Sequence, residues 1–225
     1  RDINDWFFRM KSINIGSVKI GEDSPPYIIA ELSGNHNNNI DRAIKLIKVA
    51  KECGASAVKL QTFTPECLTL NNDSESFKIK GGTWDGLKLY DLYQKTQTPY
   101  HWHETLFRIA RDIEITLFSS PFSIQAVEFL SKFNPPAYKI ASNELHDWPL
   151  VKEIAHRNKP IIISTGVATM HELEKTIDLI RGYKNSQIII LHCISAYPAK
   201  SEDANIKTIP LLRDKFNTIV GFSDH

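Results

Sequence analysis

Cysteine is scarce in this 225-residue chain: Cys53, Cys67 and Cys193 are odd in number and form no CxxC pair. That argues for a reduced, cytoplasmic protein rather than a disulfide-built one. No apolar run approaches the length needed to span a bilayer, so no membrane partner is expected. Lysine and arginine are scattered rather than blocked and the net charge is +1, which argues against nucleic acid as the main partner. The opening residues, RDINDWFFRMKS, lack the long apolar core and small-residue cleavage site of a signal peptide. Met10 reads as the natural start, with residues 1–9 a frayed or foreign addition inside an N-terminal extension of 1–12. Internal repeats and low-complexity tracts are absent, and so are HExxH, P-loop and GxSxG motifs.

What the chain does contain is alternation. After a hairpin-like lead, INIGSVKIG, seven apolar runs read as strands: 27–32, 57–63, 115–120, 137–142, 160–165, 188–193 and 218–223. They are near-continuous in Ile, Val, Leu and Phe, as parallel strands buried on both faces require. Between them lie stretches with apolar residues at helical spacing, among them 41–54, 126–133 and 171–183. Strands alternating with helices imply βαβ units and a parallel sheet. No GxGxxG follows the first strand, so the expected fold is α/β, a (β/α)8 TIM barrel over 13–225 rather than a doubly wound sheet. About seven of its eight strands are present, so the barrel is expected to be incomplete at the C-terminus. Two unpaired strand edges and poor solubility would follow. Residues 64–99 are too long for a plain connection and read as a lid or wall of a site.

Active sites of such barrels are built at the C-terminal ends of the strands. Those ends carry Glu31, Asn35 and His36; Lys59 and Gln61; Ser119 and Ser120; Lys139, Ser142, Asn143 and Glu144. They continue with Ser164 and Thr165; His192, Ser195 and Tyr197; and Ser223, Asp224 and His225. Lys59 and Lys139 lie inside apolar runs, where an unpaired ammonium is costly to bury, and an anionic ligand would neutralise them. Two lysines with several hydroxyls make a site for a phosphate or carboxylate.

Each residue also has a plainer reading. A buried lysine can pair with Glu31 or Glu144, and serines at strand ends can cap the following helix. His192 reads as a satisfied core histidine, and His101 and His103, in PYHWH, as surface or lid residues. His225 alone is weak evidence for a metal, because a site needs partners. The convergence of many strand ends carries more than any one residue.

The motifs IIAELSGNHNNNIDRAIKLI, GASAVKLQTFTPECLTL, LFSSPFS, PAYKIASNE, KPIIISTG, LHCISAYPA and VGFSDH follow one another along the chain. In that order the sequence resembles the sialic acid synthase family, which condenses phosphoenolpyruvate with an amino sugar. The segment IKGGTWDGLKLYDLYQKTQTPYHWH, and ELSGNHN, look like the pseudaminic acid synthase branch, with neuraminate and legionaminate synthases as alternatives. The resemblance implies that Lys59, Lys139, Ser120, Ser142 and Ser164 hold the phosphate and carboxylate of phosphoenolpyruvate, and that Ser223 lines the same pocket. It implies that Glu31 and Gln61 surround the reacting centre, Glu31 handling a proton. Tyr197 stands as the family has it; Ser195 replaces an asparagine of the neuraminate form. His225 matches one of two histidines that ligate a divalent ion, Mn2+ or Mg2+.

The implied partners are phosphoenolpyruvate and an acylated amino sugar, a 2,4-diacetamido-2,4,6-trideoxy hexose of altrose type. The implied product is pseudaminic acid, within nonulosonic acid biosynthesis for cell-surface polysaccharide. The family's second metal histidine, an eighth strand and a small antifreeze-like domain that closes the site across a homodimer are expected to lie past His225. The chain on its own is therefore expected to be a fragment of a longer synthase. The reading from another class is a truncated, non-catalytic sugar- or phosphate-binding module.

Overall fold

The seven apolar runs become parallel strands in the computed structural model, which describes residues 12–81 and 84–225; the middle five are mostly buried as expected, whereas the first and last are only half-buried. The expectations for Met10 and for the 1–9 addition lie outside the described residues. Two compact units divide the chain, one comprising the residues up to Pro26 with Pro136–His225, the other Tyr27–Pro135.

The lead of the first unit is an antiparallel hairpin of β1 (Ser12–Ile15) and β2 (Val18–Gly21), as the sequence predicts. Gly16 takes up the positive φ of the turn, 60°.

Tyr27–Pro135 carries β3 (Ile29–Glu31), α1 (Ile40–Glu52), β4 (Ala57–Thr62), α2 (Pro65–Leu68), α3 (Leu89–Thr96), α4 (His103–Asp112), β5 (Thr116–Pro121) and α5 (Ile124–Ser131). β3, β4 and β5 are parallel neighbours in that order. Asn39 caps α1 by accepting from the Arg42 amide, and Gly54 ends it with a φ of 85°. The long excursion of 64–99 is built from α2, a 3-10 turn at Glu75–Phe77, an isolated Lys78–Lys88 bridge and α3. Gly34 lets α3 come close: a Cβ there would lie 2.7 Å from Thr96 Cβ.

The rest of the first unit runs β6 (Tyr138–Ile140), α6 (Trp148–His156), β7 (Ile161–Ser164), α7 (Met170–Gly182), β8 (Ile188–Cys193), α8 (Thr208–Phe216) and β9 (Ile219–Ser223), with the four strands parallel in chain order. Asp147 caps α6, and Thr169 with Glu172 forms a capping box on α7. Asn217 closes α8 in the left-handed region, with φ 51°.

Strand ends differ from the sequence expectation by a few residues. The run 137–142 yields a strand of only Tyr138–Ile140, because Ser142 takes helical angles and opens a 3-10 turn, Asn143–His146. That turn places the serine and Glu144 beside the strand end rather than in the ladder.

Candidate active site

Parallel register sorts the polar residues by face, since successive side chains on a strand point to opposite sides. In Tyr27–Pro135, Glu31 pairs in register with Lys59, and Gln61 with Ser120, so these four share one face. Lys59 forms an ion pair with Glu31, and its Nζ donates to Ser120 Oγ at 3.0 Å. The Lys59 side chain is only 12% exposed, so the carboxylate offsets a desolvated ammonium, while the hydroxyl directs it across to β5. Glu31 is more open and also accepts from the Ser33 amide at 3.1 Å. The plainer reading of Lys59, a carboxylate partner, is present, and the lysine also meets a strand-end serine.

The opposite face of the same strands holds a buried chain of hydrogen bonds. Ser119 Oγ lies 2.7 Å from Thr62 Oγ1, which lies 2.8 Å from His103 Nε2, and His103 Nδ1 lies 3.2 Å from the Pro99 carbonyl. The carbonyl can only accept, so Nδ1 carries the proton, Thr62 donates to Nε2, and Ser119 donates to Thr62. Burial holds the imidazole down to about 4, well below its ordinary value. His103 is therefore a buried anchor packed on Phe129 at 5.1 Å, not the surface or lid residue the PYHWH motif predicts. His36 is likewise buried. It accepts from the Asn38 amide at 3.1 Å and sits edge-on to Trp102 at 5.3 Å, which leaves it a structural role.

In the other unit, register places Lys139, Ser164 and Ser223 on a common face: Lys139 pairs with Ile162, Ser164 with Leu191, and Cys193 with Ser223. Lys139 is buried at 6% exposure, and its Nζ donates to the Ile140 carbonyl at 3.1 Å. Glu144 is near enough for the lysine charge to act on it, yet burial prevails and raises its carboxyl above the ordinary value. Its Oε2 is buried with no hydrogen-bond partner among the described residues.

Ser142, Cys193 and Ser195 gather around Gly166. The Gly166 amide donates to Ser142 Oγ at 3.0 Å, and Ser142 lies 3.7 Å from Cys193 Sγ. Sequence reasoning did not single out Gly166, although its place directly after the strand-end Ser164–Thr165 pair is a usable signal. The side-chain caps of α1, α5, α6 and α7 are Asn39, Ser123, Asp147 and Thr169, none of them a strand-end hydroxyl. Ser142 makes no cap bond either.

His225 is held from several sides. Its Nδ1 lies 2.7 Å from the Ile194 carbonyl and its ring stacks on Tyr197 with centroids 4.3 Å apart. Tyr197 is itself 78% exposed. The carbonyl fixes the proton on Nδ1 and leaves the Nε2 lone pair free to accept, with Ser223 Oγ at 3.5 Å and Tyr197 Oη at 3.4 Å. That tautomer is the one a metal-binding imidazole needs. No group of three or more His, Cys, Asp and Glu side chains able to hold a metal gathers among the described residues. His192 faces the other way. Paired in register with Phe222, it is buried and bonds the Ala204 carbonyl at 2.7 Å, the satisfied core histidine expected. Among the described residues no helix is long and apolar enough to cross a membrane.

This chain is 51% identical over 203 residues to a pseudaminic acid synthase of Campylobacter jejuni, covering 90% of the chain and 59% of that protein. It is 49% identical over 201 residues to the pseudaminic acid synthase of Helicobacter pylori, covering 89% and 59%. The chain thus spans about three-fifths of the length of these relatives. The crystal structure of an N-acetylneuraminic acid synthetase from Leptospira borgpetersenii superposes with a TM-score of 0.85 at 27% identity, over 96% of this chain and 70% of that one. The fold is accordingly α/β, of the TIM-barrel type that the strand–helix alternation predicts. The NeuB family model matches residues 46–225, and the chain belongs to the NeuB family.

Proposed function

We propose that the protein is the barrel part of a synthase that condenses phosphoenolpyruvate with a 2,4-diacetamido-2,4,6-trideoxy hexose and water, giving pseudaminic acid and phosphate. The observation that carries this reading is the 49–51% identity to pseudaminic acid synthases. The strand-end chemistry supports it: Lys59 is largely buried and bonded to Ser120, and Lys139 is buried on the strand face that also carries Ser164 and Ser223.

In this reading the lysines and hydroxyls neutralise and orient the phosphoenolpyruvate anion and stabilise charge on the departing phosphate. C3 of the enol attacks the open-chain aldehyde of the sugar, water adds at C2, and the adduct loses phosphate. Glu31, tied to Lys59 and open to solvent on one side, handles the proton. Gln61, Ser195, Tyr197 and Ser223 line the acceptor and anion sites. His225 fits a divalent ion, Mn2+ or Mg2+, through its Nε2 lone pair. When bound, such an ion supplies Lewis-acid polarisation of the aldehyde. We place the reaction in the cytoplasm, in a homodimer of the complete protein; Cys53, Cys67 and Cys193 are all free thiols, in keeping with a reducing compartment.

The test is phosphate release from phosphoenolpyruvate with Mn2+, comparing the diacetamido-trideoxy-altrose with N-acetylmannosamine. Release with the former and little with the latter is expected. A preference for N-acetylmannosamine would move the protein to the neuraminate branch, and no release with either sugar would overturn the reading.

A further inference from the structure

Glycine 166 follows β7 and the strand-end Thr165, and its backbone is not in the left-handed region, so conformational freedom does not explain it. Space does. A Cβ at this position would lie 2.3 Å from Ser195 Oγ, 3.1 Å from Cys193 Sγ and 3.1 Å from Ser142 Oγ. The first contact is shorter than any real Cβ makes, and the other two are tight enough that neighbours must give way. Three side chains from two segments, the end of β8 and the turn after β6, therefore close over one bare Cα.

The amide of the same residue has a second role. It donates to Ser142 Oγ at 3.0 Å, which occupies one of the two lone pairs of that hydroxyl. The hydroxyl proton is then directed away from Gly166. Its one partner among the described residues is Cys193 Sγ at 3.7 Å, a long contact to a weak acceptor. A hydroxyl whose acceptor side is engaged and whose proton is loosely held is set to donate to an anion, and a charged acceptor makes a stronger bond than a thiol.

We infer that Gly166 is a positioning residue, which holds Ser142 as a pre-oriented donor to the substrate anion and leaves room for Ser195 over its Cα. The inference rests on the reading of Ser142 as a phosphoenolpyruvate ligand. Gly166 touches no reacting atom; it acts through Ser142.

The experiment is calorimetric titration of phosphoenolpyruvate into the protein and its variants, with thermal denaturation of each. Gly166→Ala is expected to weaken phosphoenolpyruvate about tenfold, the effect of a misdirected hydrogen bond to a charged group. It is also expected to lower Tm. Adding Ser195→Ala removes the atom nearest the new methyl, so the double variant should recover Tm and the affinity of Ser195→Ala alone. That double variant also serves if Gly166→Ala does not fold. In a Ser142→Ala background, Gly166→Ala should add no further loss of affinity, an outcome a merely structural glycine would not produce. Equal affinity of Gly166→Ala and wild type, no recovery in the double variant, or full additivity with Ser142→Ala would each overturn the inference. A wild-type protein with no affinity for phosphoenolpyruvate would remove the underlying reading and this role with it; wild-type binding with a null Gly166 effect removes this role alone.

Discussion

Lys59 on β4 is bonded to Glu31 on β3 and to Ser120 on β5, so one ammonium links three neighbouring strand ends. The pair puts a base beside a cation that an incoming anion would share. Glu31→Gln removes the base and keeps a side chain of the same size. The variant is expected to retain phosphoenolpyruvate binding and to slow turnover by orders of magnitude. Unchanged steady-state turnover would show that Glu31 handles no proton.

His103 gives a pH dependence of stability. Its folded-state value, about 4, lies below its ordinary value of 6.5, so between the two the unfolded chain binds the extra proton. Its contribution is complete above about pH 6.5 and is lost as the pH falls toward 4, on the order of 3 kcal/mol in total. Urea unfolding across that window should show the loss in wild type and a flatter profile in His103→Gln, which cannot titrate. Identical slopes would contradict the assignment.

Thr62 reports on the same buried chain. His103→Phe leaves the Thr62 hydroxyl without its acceptor at Nε2, and the expected cost is about 1–3 kcal/mol at neutral pH. Replacing the threonine as well, with Thr62→Val in the His103→Phe background, should restore part of that loss when Ser119→Ala removes the donor that Thr62 would leave unpaired. Simple additivity of the two changes in a double-mutant cycle would mean the hydrogen bond contributes nothing.

Glu144 works in the opposite sense to His103. Burial raises its carboxyl above 4.5, so the folded protein holds the proton longer than the unfolded chain does. Stability is therefore unaffected where both forms are protonated and falls as the pH rises past that range. Glu144→Gln should gain on wild type as the pH rises, measured by thermal unfolding on both sides of the range. A variant that loses ground there would show that the ionised carboxylate is well paired in the native state.

Much of this was legible in the residues. Parallel strands buried on both faces leave unbroken Ile, Val and Leu runs, and β8 occupies the whole of its run, Ile188–Cys193. Strand ends were less legible, because a polar residue after an apolar run does not disclose whether the backbone extends or turns. Ser142 turns, and the strand before it is shorter than its run. Lys59 and Lys139 stood out because a cation inside an apolar strand demands a partner. His103 did not, because its side-chain partner Thr62 lies far along the chain and on another element. Gly166 was hidden for a different reason: a residue without a side chain acts by the space it leaves and by its amide, neither of which a motif displays.

The proposed function gives Lys59 and Lys139 each a part in binding the phosphoenolpyruvate anion. The test is titration of phosphoenolpyruvate into wild type, Lys59→Met and Lys139→Met, since methionine keeps most of the unbranched apolar stem and removes the ammonium. Each substitution is predicted to reduce affinity by about 10- to 100-fold, the loss of a charge-assisted contact. Affinities equal to that of wild type in both variants would show that neither lysine binds the anion.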